Sequence, residues 1–348
     1  MTERVSSGIL TSKSTRWVLG ALAAAYAILC IAGCAQKGSP VQPDGSEGYR
    51  IVGTLAIAGY AESVQVAGDL CVLAASQGGL VVVDLSDASA PEFLGNGATQ
   101  YEATGVAYIG SDSLAFVTVG SRGVTAFDVS DPTAPAEQGN GQGVFARDIV
   151  AKEGIPGESH YLFSADGNGI LIQRCEYFPS LEQWFFYQLA HEGTSGSARG
   201  IWLHDDMALL AQEELGLWIY DVSELTAPAL LGSVDTPGEA RAVTTDGQYA
   251  YVADWRKGLQ VVDISNISAP VIVADAETDG NADGIFYADD RVYVAAHLGG
   301  LEVFDVTDPE NPVRCGGLAT PFANDVFVVG STVYVADRDW GLVIAEEE

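Results

Sequence analysis

A phrase of fourteen residues recurs along this chain and limits the folds open to it: Gly, an apolar run ending in Asp, a hydroxyl residue soon after, a polar turn and Pro. The run-ending aspartates of its clear copies lie 44, 93, 42 and 42 residues apart, and degenerate copies stand at 168–180 and 340–348. The clear copies are 78–91, 122–135, 215–228, 257–270 and 299–312. Such a period indicates one supersecondary unit repeated, each copy burying its apolar faces against its neighbours.

Each period holds four short strands. After each Pro come a short strand, a Gly-containing loop, a second strand, a tight turn and a Tyr/Val/Ala-rich strand, clearest at 228–254 and 312–337. The recurring phrase supplies the remaining strand. Four short antiparallel strands in roughly 40 residues are typical of one β-propeller blade. We therefore predict an all-β chain forming a single seven-bladed propeller of four-stranded blades. The seven units are 49–90, 91–134, 135–179, 180–227, 228–269, 270–311 and 312–348.

The first and last units predict how the ring closes. The last unit, 312–348, stops after its third strand, and residues 49–55 (YRIVGTL) have the character of the missing fourth. Pairing this N-terminal strand with the last blade removes an exposed sheet edge, which would otherwise template association with other chains. We expect the ring to be closed in this way.

The phrase GLxVxD followed by Ser or Thr, with YVAD before it, resembles the LVIVD repeat family of bacterial and archaeal surface proteins. The resemblance spans essentially residues 50–348 and implies a propeller at the cell surface, with no common reaction. The third unit departs from the pattern, with Arg174 where Asp is usual and an insertion at 151–159. The fourth unit departs from it as well.

The first 33 residues have the pattern of an export signal. Three basic residues within 1–16 precede the almost wholly apolar stretch 17–31, as in secretory signals. The tetrad Ile31-Ala32-Gly33-Cys34 resembles the lipobox of bacterial lipoproteins, which implies cleavage before Cys34 and its diacylation. A plain transmembrane anchor is the alternative, since about 17 apolar residues can just span a bilayer.

Three segments are therefore predicted: a lipoprotein signal peptide (1–33), a tether (34–48) and the propeller (49–348). The tether is rich in Gly, Ser and Pro, a composition typical of flexible linkers. We expect the propeller to be held by lipid at the cell envelope, outside the cytoplasm, in the outer membrane or at the cell surface.

Charge argues against one class of partner. Acidic residues number 47 against 16 basic, a net charge of −31, and such a surface repels phosphate backbones. We expect no nucleic acid partner, membrane contact only through the lipid on Cys34, and a monomer. Cys71, Cys175 and Cys315 are an odd, scattered set, which favours buried free thiols over a disulfide framework.

The recurring aspartates are predicted to cap turns. Each stands where a carboxylate can accept backbone N–H bonds in the turn that leads to Pro, and a ligand-binding role is the alternative. Turn-capping predicts that they lie on the face opposite any functional pocket. They are Asp84, Asp128, Asp221, Asp263 and Asp305.

A better candidate for ligand binding is the residue at the start of each blade's innermost strand. In a propeller these positions surround the mouth of the central channel. Three successive arginines would face one arc, and guanidinium groups suit carboxylate or phosphate. The alternative is that the arginines only pair with Asp148, Asp325 and other acidic neighbours. The seven positions are Glu62, Thr104, Arg147, Arg199, Arg241, Asp283 and Asn324.

Two tryptophans join the candidate site. The loops after each blade's second strand should lie on the same face as the ring residues, and Trp255 (ADWRKG) and Trp340 (ADRDWG) stand in two of them. Tryptophans beside charges are typical of recognition surfaces. Packing over the hydrophobic rim of the blades is the alternative interpretation. The loop residues are Asp166, Glu213, Trp255, Arg256, His297, Arg338 and Trp340.

No catalytic or metal motif stands out in the sequence. The four histidines show no HExxH spacing, and no GxSxG or P-loop is present. Residues Asp279–Gly284 with Asp290 resemble the front of a calcium loop, but the repeat alignment places Asp283 and Asp290 at different ends of one strand. We therefore expect no cofactor, with calcium as a minor alternative.

Two functions remain open after the sequence is read. The first is a noncatalytic binding or scaffolding propeller that engages a protein, peptide or glycan on its channel face. The alternative is an extracytoplasmic hydrolase or lyase that uses channel carboxylates, with or without calcium. A purely structural spacer in the envelope would differ from both by binding no ligand.

Overall fold

The computed structural model describes residues 47–141, 145–167 and 169–348, so the predicted signal peptide and nearly all of the tether lie outside the described residues. The described part is all-β, with a single turn of 3-10 helix at Gly110–Asp112. Its strands form seven four-stranded antiparallel sheets, and each sheet is one blade. The predicted fold class and blade count are confirmed.

The blades are numbered in chain order. Blades 1 to 3 consist of β2 (Ser63–Ala67), β3 (Leu70–Ala74), β4 (Leu80–Asp84) and β5 (Glu92–Gly97); β6 (Val106–Ile109), β7 (Leu114–Thr118), β8 (Val124–Asp128) and β9 (Ala136–Gly141); and β10 (Ala146–Ile155), β11 (Ser159–Asp166), β12 (Gly169–Phe178) and β13 (Gln183–Gly193). Blades 4 and 5 consist of β14 (Gly200–His204), β15 (Met207–Gln212), β16 (Gly216–Asp221) and β17 (Ala229–Val234); and β18 (Ala242–Thr245), β19 (Tyr249–Ala253), β20 (Leu259–Asp263) and β21 (Val271–Ala276).

The last two blades show how the ring closes. Blade 6 is regular, whereas blade 7 takes its outermost strand from the start of the propeller. They consist of β22 (Gly284–Ala288), β23 (Arg291–Ala295), β24 (Leu301–Asp305) and β25 (Val313–Leu318); and β26 (Ala323–Val329), β27 (Thr332–Asp337), β28 (Gly341–Glu347) and β1 (Tyr49–Leu55). The pairing of β1 with β28 runs from Tyr49 opposite Glu347 to Leu55 opposite Leu342, as predicted.

The hydrophobic core lies between the blades. The described residues form seven buried clusters, one at each boundary between adjacent blades, and the cluster that contains Val64 and Ile344 joins blade 1 to blade 7. Both faces of every blade are therefore buried. This explains why the recurring runs are continuously apolar, for example Leu80 to Val83, instead of alternating.

The innermost strands lie close together around the channel. Each contacts the innermost strand of the next blade, and β26 contacts β2, which completes the ring. Glycine at the first position of β14 and β22 permits the approach at those two places. At Gly284, for instance, a Cβ would stand 2.7 Å from Asn324 O and 2.7 Å from Asp325 Cα of blade 7, closer than such atoms can approach.

Strand register divides the ring into two faces. In blade 1, Ser63 lies opposite Ala74, so the start of β2 and the β3–β4 loop share one end of the blade. Leu70 lies opposite Asp84, at the other end. We call the end where the innermost strands begin the mouth face, and the other end the far face.

The recurring aspartates cap turns on the far face, as predicted. In each, Oδ1 accepts the backbone N–H of the residue two positions later, at 2.8 or 2.9 Å. The partners are Ser86, Ser130, Ser223, Ser265 and Thr307. The side-chain hydroxyl and the backbone N–H of these partners lower the pKa of Asp221, Asp263 and Asp305, because both favour the charged carboxylate.

Blade 3 extends beyond the regular blade length. Its strands have 8 to 11 residues, and β12 occupies the place predicted for the degenerate copy. The buried His160 belongs to this longer blade: its Nε2 lies 2.7 Å from Asp112 Oδ2 of blade 2, and its ring stacks on Trp184.

The three cysteines of the propeller are free. Cys71 and Cys175 are buried, whereas Cys315 is exposed, so the prediction of burial is wrong for Cys315. Cys315 lies on an outermost strand, where one face meets solvent.

Candidate functional site

The seven predicted ring residues come together at the mouth face. Each directly follows an alanine with no exposed surface: Ala61, Ala103, Ala146, Ala198, Ala240, Ala282 and Ala323. Five of these alanines form a backbone bridge to the loop between the second and third strands of the preceding blade, as Ala282 does with Trp255. The bridges join five of these loops to the neighbouring ring residues. We call the rim made by the ring residues and these loops the mouth.

Contacts across the mouth join residues distant in sequence. Asn324 Nδ2 donates to Ala61 O at 2.8 Å and lies 3.4 Å from Glu62 Oε2. Burial raises the pKa of Glu62, and the carboxylates of Asp283 and Glu102 raise it further. Glu62 of blade 1 and Asp283 of blade 6 are therefore electrostatic neighbours, as a closed ring requires.

The three arginines lie side by side but differ in their partners. Arg241 is paired most fully, since Nη1 donates to Glu213 Oε1 at 3.2 Å and Nη2 donates to Glu239. In the described part of the chain, the ion pairs of Arg199 are both long, 3.6 Å to Glu213 and 3.8 Å to Asp283. Arg147 is exposed and forms no ion pair within the described ranges.

Burial and neighbouring charge act together on Arg199. Burial lowers its pKa most, the cations of Arg241 and Arg147 lower it further, and the carboxylate of Asp283 opposes them. Lost hydration and two like charges mean that the guanidinium is incompletely compensated. An anion placed between Arg147 and Arg199 would relieve this deficit.

An aromatic arc faces the arginines. The Arg241 guanidinium lies 4.2 Å above the Trp255 ring, whose edge meets the ring of His297 at 4.8 Å. The rings of His297 and Phe322 stack with their centres 4.2 Å apart. The Arg338 guanidinium lies 4.1 Å from the centre of the Phe322 ring and 5.6 Å from that of Tyr60. The arc therefore runs through blades 5, 6 and 7 as one stacked series of cations and rings.

Four loop residues of the mouth hold unusual backbone conformations. Ser76, Glu213, Trp255 and His297 occupy equivalent places and have positive φ, between 23° and 53°. This region costs non-glycine residues free energy and is common at functional sites. Here it turns three of these side chains, those of Glu213, Trp255 and His297, toward the arginines and Asp283.

Trp340 lies apart from this arc. It packs against the hydrophobic cluster between blades 6 and 7, which is the rim-packing interpretation considered for both tryptophans. Counted from the buried aspartates that begin the two loops, Trp255 follows Asp254 directly, whereas Trp340 is three residues after Asp337. Arg338 takes the place equivalent to Trp255.

Sequence reasoning missed the aromatic residues beside the ring. Phe322 and Tyr60 each stand two positions before a ring residue, and Glu102, Phe145 and Glu239 occupy the same place in other blades. Alignment of that position around the repeat would have found them. The pairing of His297 with Asp283, 3.4 Å between Nε2 and Oδ2, had no signal in sequence spacing.

Two carboxylates lie just below the mouth and join adjacent innermost strands. Asp148 accepts the backbone N–H of Ile149 at 2.8 Å and of Ile201 in blade 4 at 2.9 Å. Asp325 does the same for Val326 at 2.9 Å and for Val64 in blade 1 at 3.1 Å. Burial raises the pKa of Asp148 to about 7 and that of Asp325 to about 6.

These raised values predict a pH dependence of stability. Because the pKa of Asp148 is 3.8 when unperturbed and about 7 in the fold, its contribution is complete below pH 3.8 and is lost as the pH rises to about 7. The shift corresponds to at most about 4 kcal/mol, and solvent in the channel reduces it. The free energy of unfolding of Asp148→Asn relative to wild type should therefore rise between about pH 4 and 7 and level off above that, as denaturant titrations at each pH would show.

Asp221→Asn is the control for this measurement. Hydrogen bonds lower the pKa of Asp221, so its contribution is lost only as the pH falls below its ordinary range, and the difference from wild type should stay flat above about pH 5. A flat difference for Asp148→Asn as well would show that Asp148 does not carry the buried proton.

The calcium alternative does not match the geometry. Asp279 pairs with Arg314, Asp283 lies at the mouth between Arg199 and His297, and Asp290 lies near the far end of β22. In the part of the chain that the structure describes, no three metal-ligating side chains of the His, Cys, Asp and Glu types are grouped. Nor does any helix in those residues have the length and apolar character needed to cross a membrane.

Comparisons with known proteins agree with the fold. No curated protein matches the chain. A crystal structure of the computationally designed Ika8 protein is similar, with a TM-score of 0.58 and 10% identity over 87% of this chain and 100% of that one. At this identity the likeness concerns the fold alone.

The family comparison is more specific. A model described as the LVIVD repeat matches well over half of the chain, and the region between its second and third matches holds most of blade 3, where the repeat departs from its pattern. The matched residues are 58–99, 111–142, 195–236, 237–278, 279–320 and 322–345. With the blades and their repeated turns established, these matches show that the chain belongs to the LVIVD repeat family.

Proposed function

We propose that this protein is a noncatalytic binding propeller that captures an anionic group of its partner at the mouth. The observation that carries the proposal is the incompletely compensated pair Arg147 and Arg199, since Arg147 has no ion pair in the described part of the chain and those of Arg199 are 3.6 and 3.8 Å long. Guanidinium groups suit carboxylate recognition, because they donate two parallel charge-assisted hydrogen bonds from one plane.

The aromatic arc supports the same function. Trp255, His297 and Phe322 offer ring faces and edges beside the charged groups, a combination common at the energetically important centres of interfaces. The chain as a whole is strongly acidic, with a net charge of −31. An anionic partner is therefore repelled by most of the surface and attracted where arginines cluster, which favours binding at the mouth.

The alternative function, a hydrolase or lyase, has less support. Asp148 and Asp325 each accept two backbone N–H groups, which occupies oxygens that a catalytic base would need. Asp283 is flanked by Arg199 and His297. Loss of an activity on Asp283→Ala, with partner capture retained, would favour the enzyme over the binding protein.

The cellular address belongs to the same proposal. We place the propeller outside the cytoplasm, at the cell envelope, held by a lipid on Cys34. The support is the Ile31-Ala32-Gly33-Cys34 tetrad behind an apolar stretch. Mass spectrometry of the mature N-terminus should find a diacylated Cys34, and an unmodified, uncleaved terminus would contradict the assignment.

Reversal of the arginine charges tests the binding function. The combined variant Arg147→Glu, Arg199→Glu and Arg241→Glu should lose at least about tenfold in partner capture from envelope extracts, because it places three carboxylates where the anion binds. The measurement is quantitative pull-down with the purified protein as bait, beside thermal unfolding to show that the variant is folded.

A matched control reverses three exposed cations away from the mouth. In the combined variant Arg50→Glu, Lys152→Glu and Arg174→Glu the same net charge is introduced on side chains that are 51%, 44% and 40% exposed. It should capture the partner like wild type. Capture that survives reversal at the mouth would contradict the proposal, and capture lost equally in this control would show that the effect is one of net charge and not of the mouth.

A further inference from the structure

An open groove lies on the mouth face between blades 1 and 2. It encloses about 610 Å³ and is lined mainly by neutral polar side chains and one aromatic ring. We call it the Tyr101 groove; the lining residues that matter here are Gln77, Gln100, Tyr101, Glu102, Thr104 and Ser121. This volume lies within the range of about 300–1,000 Å³ that is typical of small-molecule binding sites.

The walls of the groove are fixed before any ligand arrives. Ser76, beside Gln77, exchanges backbone hydrogen bonds of 3.1 and 2.9 Å with Ala103, which stands next to Glu102. Thr99 Oγ1 donates to Tyr101 O at 2.7 Å, which holds the segment that carries the aromatic ring. The backbone of the groove is therefore preformed, so binding costs little backbone entropy.

The lining chemistry suits a sugar. Gln77 and Gln100 offer amide donors and acceptors, Ser121 offers a hydroxyl that does both, and Glu102 offers a carboxylate. The Tyr101 side chain is 48% exposed, so its ring face is open to the C–H face of a pyranose. A sugar presents both surfaces at once, a ring of hydroxyl groups and an apolar face, whereas a hydrophobic ligand would leave these amides unsatisfied.

The groove leads to the uncompensated arginine. Thr104 lines the groove, and its Oγ1 donates to Arg147 O at 3.0 Å. Gly120 also lines the groove and forms a backbone bridge with Ala146, the residue before Arg147. The backbone of Arg147 therefore adjoins one end of the groove, and Arg147 is an exposed residue there.

We infer that the Tyr101 groove binds an oligosaccharide that carries a carboxylate, with the sugar ring on Tyr101 and the carboxylate on Arg147. This inference rests on the proposed function and names its ligand class as a uronic acid glycan. A peptide is disfavoured because no aliphatic side chain lines the groove, so it offers little to hold an apolar peptide side chain.

Binding of defined sugars tests the inference. Isothermal titration calorimetry would compare digalacturonate and diglucuronate with their methyl esters, which keep the sugar rings and remove the charge. At least one uronate should bind about tenfold more tightly than its ester, since the ester cannot form a charge-assisted pair with Arg147. An acetylated diglutamate peptide serves as the non-sugar carboxylate.

Single substitutions test the charged contact and the aromatic contact of the groove separately. Arg147→Gln should weaken uronate binding about tenfold and leave ester binding unchanged, whereas Tyr101→Ala should weaken both. Arg256→Gln, a change of an exposed cation on the blade 5 loop of the same face, should alter neither. Absence of uronate binding, equal binding of the diglutamate peptide, or insensitivity to Tyr101→Ala would each overturn the inference.

These outcomes are distinguishable from failure of the proposed function. If envelope capture depends on the three arginines but no uronate binds, the ligand class is wrong and the mouth remains the binding face. If a uronate binds through Tyr101 while capture survives the arginine reversals, the groove is a sugar site and the proposed capture function is wrong.

Discussion

A chain that begins at Ala56, without β1, is expected to lose cooperative folding, whereas a chain that begins at Glu47 keeps it. The β1 strand completes blade 7 through six register pairs with β28, and Tyr49 is only 3% exposed. Tyr49 is buried, and Ile51 and Leu55 are half-buried. Full burial of an apolar side chain is worth roughly 1.5–3 kcal/mol, so these three contribute a part of that each, in addition to the backbone pairing with β28. The expected loss of about 5 kcal/mol or more is comparable to the net stability of a whole domain.

Removal of β1 also exposes an apolar edge. The Val343–Ala345 stretch of β28 would present unpaired backbone groups, which favours edge-to-edge association. Denaturant unfolding and light scattering of the two truncated chains would measure both effects. Cooperative unfolding of the shorter chain at the midpoint of the longer one would show that the ring does not depend on this closure.

The second large effect is expected from Gly284→Val. A Cβ at Gly284 would stand 2.7 Å from Asn324 O and 2.8 Å from Asp325 Oδ1, so blades 6 and 7 must separate at the axis. Overpacking of this kind costs roughly 1–3 kcal/mol or more. Because the separation moves Asp283 and Asn324 as well, partner capture should fall together with stability.

Gly193→Val is the matched control for this substitution. No atom lies within 4 Å of a Cβ at Gly193, and this residue is exposed at the end of β13. Thermal unfolding and pull-down should give wild-type values for it. Equal unfolding midpoints for the two variants would contradict close packing of the innermost strands at the axis.

The repeat predicted the ring because each blade is stabilised by contacts with its immediate neighbours. One apolar phrase buried on both faces recurs through the chain, and each copy needs only its neighbours. Alignment of equivalent positions then identified Glu62, Arg199 and Asp283 as neighbours across the mouth, although they lie far apart in sequence. Closure followed from the missing fourth strand of blade 7.

The repeat did not predict which side chains contact each other. The sequence alignment grouped Trp255 with Trp340. Trp340 stands two positions later in its loop, however, and packs against the hydrophobic cluster between blades 6 and 7. The Tyr101 groove depends on the path of the 98–104 segment between blades 1 and 2. No repeated position marks that path, because each blade connects to the next through its own segment.

Contact mapping with a photoreactive amino acid tests the central claim, that the partner binds at the mouth face. One protein would carry the probe in place of the exposed Glu102 at the mouth, and another in place of the exposed Thr133 in a turn on the far face. After illumination in intact cell envelopes, the account predicts a specific crosslinked partner from position 102 and none from position 133. Crosslinking from position 133 alone would contradict it.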